Sequence, residues 1–333
     1  MKAMVYSQYG GPEVLSFKEV PKPLPKPREV LVKVHASSIN DWDWGLLRGE
    51  PFVNRLLFGL MKPKLKVLGC DIAGRVEAIG SEVKDFQVGQ AVFGDISSGN
   101  WGGFAEFVCV EEKLLAPKPD EISFEQAAAI PQAGLLALQG FQLHEDQRNP
   151  SGFQSILING AGGGVGTLAV QLAKMKDIHV TCVDKESKLD ALKGLGADEV
   201  LDYQQVHFSD LGQRYDLILD VMCNRPIGHY RRCLKPNGTY ATVGGEMPSL
   251  FKIMAYGALF SKVWPNPNKQ KINAVMLQSK RSDLNYLSEL IVEKKLSPII
   301  DSIYPLTALR EAFAHYGTGV HVGKILIKVY EGA

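Results

Sequence analysis

A glycine-rich turn held between an apolar run and a helical stretch narrows the possible folds more than any other feature. Asn159-Gly160-Ala161-Gly162-Gly163-Gly164-Val165-Gly166 follows Ile156-Leu157-Ile158 and precedes Thr167-Leu168-Ala169-Val170-Gln171-Leu172-Ala173-Lys174. Such a chain turns sharply at a strand end, offers backbone with no Cβ in the way, and then opens a helix. Free N–H groups and the positive end of the helix dipole meet where a diphosphate can sit. Ala161, Gly163 and Gly166 take the three spaced positions, so the motif reads A-x-G-x-x-G. A glycine loop alone says little; strand, turn, helix and a later acid in order give it meaning.

Apolar strands and helical stretches alternate around this turn. Ser155–Asn159, His179–Asp184, Glu199–Tyr203, Asp216–Val221, Thr239–Val243 and Lys271–Leu277 read as strands, with helices over Gly164–Lys176 and Lys188–Leu195. This pattern predicts an α/β fold of βαβ units on a parallel sheet. The right-handed crossover rule reduces it to a doubly wound sheet in the order 3-2-1-4-5-6. Residues 1–120 differ: short β-like runs (Val30–Val34, Gly74–Ile79, Phe104–Val110) are punctuated by Pro and Gly. The character changes near Ser123, read as an N-cap with Glu125 in the first turn of an Ala-rich helix running toward His144. The final strand, Gly323–Tyr330, is free to return to the first region.

Bulk properties exclude several classes. A formal net charge of +1 gives no basic surplus for nucleic acid. Cys70, Cys109, Cys182, Cys223 and Cys233 form no C-x-x-C pair, so neither a disulfide framework nor a structural zinc lobe is expected. A reducing, cytoplasmic compartment fits. The chain opens without a secretory apolar region and has no apolar run long enough to span a bilayer, so a soluble protein with no membrane partner is expected.

Further stretches carry a resemblance. They are Tyr9-Gly10-Gly11-Pro12-Glu13-Val14-Leu15, Ser38-Ile39-Asn40 with Asp43-Trp44 and Arg48-Gly49, and Gly69-Cys70-Asp71-Ile72-Ala73-Gly74. Gly102-Gly103-Phe104-Ala105-Glu106-Phe107, Leu195-Gly196-Ala197-Asp198-Glu199-Val200 and Gly323-Lys324-Ile325 extend them along nearly the whole chain. With these the chain resembles the medium-chain dehydrogenase/reductase superfamily, in particular the zinc-free quinone oxidoreductases of the ζ-crystallin type. Within them it is similar to the alkenal/enone reductase and reticulon-interacting-protein branch. The resemblance implies a GroES-like, β-rich substrate domain over residues 1–122 and 299–333, and a Rossmann dinucleotide-binding domain over 123–298. It also implies a homodimer and a cleft for nicotinamide and substrate.

Alcohol dehydrogenases of that superfamily hold catalytic zinc at positions that align with Asn40, Cys70 and Gln132. Carboxamides are poor zinc ligands and one thiol cannot hold the metal alone, so no metal is expected and Cys70 reads as a small buried filler. Without a Lewis acid, reduction of a simple carbonyl loses its polarising group. Hydride addition to a quinone or conjugated enone instead moves charge onto an oxygen that hydrogen-bond donors can stabilise. The expected activity is zinc-independent, NAD(P)H-dependent hydride transfer to a quinone or α,β-unsaturated carbonyl. A non-enzymatic nucleotide-binding sensor or scaffold and an enoyl-thioester reductase stand as alternatives.

Outside the turn, Asn40 is the first site candidate, either a donor to a substrate oxygen or nicotinamide ribose, or a structural turn residue. Trp42 and Trp44 are two apart and on a helix face different ways. Trp44, which matches the family, is a candidate pocket wall, with core packing the other reading. Cofactor contacts are expected from Ala161, Gly162, Gly163, Gly164, Val165 and Gly166, and by resemblance from Tyr203, Gly244 and Gly245. Met247–Trp264 reads as a lid, a core segment or a dimer contact. Asp184, 18 residues after Gly166, stands where an acid bonds the adenosine ribose and repels a 2′-phosphate, which favours NADH. Lys185, Lys188 and the family's usual preference point to NADPH, but a fixed carboxylate beside a phosphate is costly, so the reading leans to NADH.

Overall fold

The computed structural model describes residues 1–144, 153–244 and 268–330. They group into two units, residues 1–135 with 278–333, and residues 136–277.

In the first unit, β1 (Lys2–Val5) pairs with β2 (Ser16–Glu19) as a separate ribbon. The long strand β3 (Glu29–Ser38) takes β4 (Asp71–Ile79) on one side, followed by β5 (Ala91–Asp95), while β6 (Phe107–Glu111) also pairs with β3 and β7 (Ala116–Pro117) pairs with β5. Val30, Val32 and Val34 alternate along β3 and bury on one face against Ile72, Val76, Val92, Val108 and Val110, the period-two spacing of a strand, while Leu31 is buried on the other face.

The second unit is a six-stranded parallel sheet built from β8 (Ser155–Asn159), β9 (His179–Asp184), β10 (Glu199–Asp202), β11 (Tyr215–Asp220), β12 (Leu234–Thr242) and β13 (Lys271–Ala274). Its order is β10-β9-β8-β11-β12-β13, the expected 3-2-1-4-5-6. Ile156, Leu157, Ile158, Leu217, Ile218 and Leu219 are all fully buried, as strands covered on both faces require. Each contributes roughly 1.5–3 kcal/mol by leaving water.

The chain then returns. β14 (Ile300–Pro305) runs parallel to β15 (Lys324–Lys328), and β15 pairs antiparallel with β3. The register sets Leu326 opposite Ser38, Ser38 opposite Asp71 and Asp71 opposite Asp95, so four strands bring their polar residues to one end of the sheet.

Ser123 is the N-cap of the helix Phe124–Ala128 with Glu125 in its first turn, as expected, and Gln126 completes the cap: Ser123 Oγ accepts from the Gln126 N–H at 3.1 Å and Gln126 Oε1 accepts from the Ser123 N–H at 2.9 Å. The single helix expected toward His144 is two, because Pro131 lacks the N–H to continue the first and starts the second, Pro131–Gln142. Helices Phe124–Ala128 and Arg281–Val292, which the expected boundaries assign to the nucleotide domain, pack on the first unit. Phe124 stacks on His35 at 4.1 Å, and the Arg281 guanidinium donates to the carbonyls of Leu115 and Glu112, each at 2.8 Å.

Candidate active site

The glycine turn sits at the C-terminal end of β8, the central strand of the parallel sheet. Gly160 has φ +83°, a left-handed conformation that glycine adopts without strain. The N–H groups of Gly160 and Ala161 donate to the Val183 carbonyl at 2.9 and 3.2 Å, fastening the turn to β9. A Cβ on Gly166 would lie 2.4 Å from Ala161 Cα, so this glycine lets the helix Gly164–Lys174 start against the turn. A Cβ on Gly163 would meet nothing closer than the Gly160 carbonyl at 3.8 Å, so space is open at the residue that begins the helix. Open backbone before a helix start fits a nucleotide diphosphate.

Asp184, Lys185, Lys188 and Tyr203 meet at one corner of this turn. Asp184 Oδ2 accepts from the Gly162 N–H at 2.7 Å and Oδ1 from the Lys185 N–H at 2.8 Å. Lys188 is buried with Nζ 3.9 Å from Asp184 Oδ1, and a Cβ on Gly162 would strike its stem at 2.5 Å. The Tyr203 N–H donates to the Asp184 carbonyl at 3.2 Å. The acid expected at the ribose is thus engaged inside the turn and faced by an ammonium.

Beyond β8, Asp220 closes the same sheet edge. Its Oδ1 accepts from Asn159 Nδ2 (2.8 Å) and the N–H groups of Met222 and Cys223, and its Oδ2 accepts from the Tyr240 hydroxyl at 2.7 Å. Gly244 follows β12, where a Cβ would lie 2.7 Å from the Val221 carbonyl. Gly245 and the segment 247–264 lie outside the described residues.

In the first unit a buried polar cluster forms where the four strands align. Asn40 precedes the helix Asp41–Arg48, and its N–H donates to Asp43 Oδ2 at 3.0 Å. Its Nδ2 donates to Asp71 Oδ2 (2.9 Å) and Cys70 Sγ (3.2 Å), and its Oδ1 accepts from Lys324 Nζ. Asp71, fully buried, also accepts from Ser38 Oγ at 2.7 Å, the Gln132 N–H at 2.9 Å and Lys324 Nζ at 3.3 Å. Gln132 Nε2 donates to Cys70 Sγ at 3.3 Å. Burial pushes Asp43 up to about 7, and burial followed by the charges of Asp43 and Asp71 pushes the Cys70 thiol well up.

The three positions aligned with zinc ligands, Asn40, Cys70 and Gln132, therefore do converge, but both amides point N–H groups at a thiol held protonated. Cys70, Asp71 and Asp95 also lie close enough for one ion. That set does not fit a divalent cation: Asp71 has four donors on its two oxygens, and one is the Lys324 ammonium, which repels a second cation.

Trp44 is partly buried and packs against the core, stacked on Phe313 at 6.2 Å and lying against Tyr316 and Gly317. Trp42 is the half-exposed member of the pair and stacks on buried Trp101. Sequence reasoning missed Asp71, Lys324, Asp220 and Asn159 as site members. The available signal was that Asp71 and Lys324 sit inside resemblance motifs, and that a lysine beginning an apolar strand needs a buried partner.

Residues 26–120 match the alcohol dehydrogenase GroES-like domain and residues 195–327 a zinc-binding dehydrogenase domain. The chain is 34% identical over 343 residues to the chloroplast envelope quinone oxidoreductase homolog of Arabidopsis thaliana, covering 98% of each chain. It is 31% identical to the chloroplastic NADPH-dependent alkenal/one oxidoreductase of the same plant, covering 98% of this chain and 79% of the relative. Among solved structures, the quinone oxidoreductase from Coxiella burnetii matches with a TM-score of 0.87 at 29% identity over 99% of both chains. Turn, sheet order, returning C-terminal strand and these matches agree: the chain belongs to the medium-chain dehydrogenase/reductase superfamily, among its quinone oxidoreductases and alkenal reductases.

Proposed function

We propose that the chain is a zinc-independent, NAD(P)H-dependent oxidoreductase that transfers hydride to a quinone or an α,β-unsaturated carbonyl. The observation that carries this reading is the turn Ala161–Gly166, where close-packed Gly166 and open Gly163 leave backbone free at a helix start. Relatives named for quinone and alkenal/one reduction support the acceptor class. A bound nicotinamide nucleotide supplies the hydride. Ala161, Gly162, Gly163, Gly164, Val165 and Gly166 would hold its diphosphate, Asp184, Lys185, Lys188 and Tyr203 its adenosine end, and Gly244 and Gly245 its nicotinamide end. Residues 123–298 serve the nucleotide and residues 1–122 with 299–333 the substrate.

Asn40 is proposed as the donor to the developing substrate oxygen. Both of its Nδ2 hydrogens are engaged, and the one on Cys70 Sγ is the cheaper to release, since a thiol is a weak acceptor. Trp44 supports this residue indirectly, by seating the helix Asp41–Arg48 on Phe313. The zinc-independent reading is supported by Asn40 and Gln132, carboxamides that donate to the Cys70 thiol, and by the Lys324 ammonium on Asp71, which opposes a second cation there. Against the lean to NADH drawn from the sequence, NADPH is proposed ahead of NADH: Asp184 is hydrogen-bonded within the turn and faced by Lys188, so it opposes a 2′-phosphate less than a free carboxylate does. A homodimer in a reducing, cytoplasmic compartment completes the proposal, with all five cysteines buried and unbridged.

The test mixes purified chain with NADPH or NADH and either phenanthrenequinone or a short alkenal, with and without a zinc chelator. Oxidation of NADPH with at least one acceptor, unaffected by chelation, is expected. Binding without turnover of any acceptor, or activity lost to the chelator, defeats the reading. Sedimentation velocity checks the dimer.

A further inference from the structure

Residues 52–66 present an unusual surface. Phe52, Leu56, Leu57, Leu60 and Met61 are 62%, 60%, 63%, 53% and 84% exposed. Single exposed leucines need no explanation, but five large apolar side chains within ten residues do. Phe52 and Leu56, four apart, share one side of the short helix Val53–Phe58, with Leu57 beside them and Leu60 and Met61 continuing past its end.

This segment is fastened to the first unit. The Tyr9 hydroxyl donates to the Gly59 carbonyl, and the Arg55 guanidinium donates to the carbonyls of Gly49 and Arg48 while lying 4.7 Å over the Tyr9 ring. Phe58, Leu65 and Val67 pack on the core beneath. The apolar side chains are thus held outward on a fixed base.

Charge says what the surface meets. Lys62, Lys64 and Lys66 follow at alternate positions, all exposed. None pairs with a carboxylate among the described residues. Glu50 is the sole acid between residues 48 and 66, and it is paired with Arg48. Two copies meeting over this face would crowd their lysines together, so like charge opposes self-association here. We propose that the segment docks on the surface of an anionic phospholipid bilayer, its apolar side chains in the headgroup boundary and its lysines on the phosphates. No described helix is long and apolar enough to cross a membrane, so the contact is peripheral. This proposal departs from the expectation of no membrane partner. The inference is independent of the acceptor the chain reduces.

Flotation of the full chain with vesicles of phosphatidylcholine, alone or with phosphatidylglycerol, tests it. Binding to the anionic vesicles that weakens with salt is expected, with far less on the neutral ones. At roughly fivefold per lysine, K62Q/K64Q/K66Q lowers the partition coefficient on the order of a hundredfold. L56S/L57S/M61S lowers it at least about tenfold, with melting temperature and turnover of a water-soluble quinone unchanged. Failure of the native chain to float with anionic vesicles overturns the proposal, as does flotation indifferent to both variants. So does a triple serine variant that shifts an oligomer to a smaller species in sedimentation velocity, which makes the face a contact between copies.

Discussion

The two candidate sites, one in each unit, are built from different materials. The turn Ala161–Gly166 is made of backbone, and its side chains matter mainly by being absent. The cluster of Asn40, Cys70, Asp71, Gln132 and Lys324 is made of buried side chains drawn from four places in the chain. A backbone site tolerates no added atom; a side-chain site tolerates no lost partner.

The largest effect should come from Lys324→Met. It leaves Asp71 buried with no cation, which costs about 3–5 kcal/mol, read by urea denaturation. Asp71→Asn in the same chain should return part of that loss, and a single variant as stable as the native chain would show that the cluster is not held by this pair. Gly166→Ala comes next. The new Cβ needs space already taken by Ala161, for about 1–3 kcal/mol of strain, and nucleotide affinity measured by fluorescence titration should fall roughly tenfold or more. Unaltered affinity would mean that the turn is less tightly packed than its contacts indicate. Asp184→Asn keeps an acceptor for the Gly162 N–H and removes the charge. The ratio of NADPH to NADH turnover should rise on the order of fivefold, and a ratio that does not move would show that the carboxylate is already silent.

The smallest effect concerns a region outside both sites and sharpens the contrast between them. His35 lies between the rings of Phe124 and Tyr330, and burial, with Arg75 and Lys33 adding, pushes it down from 6.5 to about 4. The unfolded chain takes the proton first, so this residue's contribution to stability is lost as pH falls from about 6.5 to about 4 and is constant above that interval. In His35→Phe, melting temperature plotted against pH should be flatter between those limits. An unchanged slope would assign acid sensitivity to other groups.

The same contrast explains what the sequence discloses. A backbone site must be encoded locally, as glycines at fixed spacing after an apolar run, so Gly160, Gly163 and Gly166 were legible with the sheet order around them. Asp184 was legible as a position but not as a role, since its bond to the Gly162 N–H depends on how β9 is set against the turn. The cluster was not legible as a unit, because Lys324 reaches Asn40 only through the β15–β3 register. Trp44 reads like a pocket aromatic until Phe313, far along the chain, is seen to stack on it.

The return of β15 to β3 also imposes an order on biosynthesis. All six strands of the parallel sheet leave the ribosome before residue 324 does. Until that lysine emerges, nascent Asp71 lacks the ammonium that pairs with it, and the sheet of the N-terminal region lacks the strand that closes against β3.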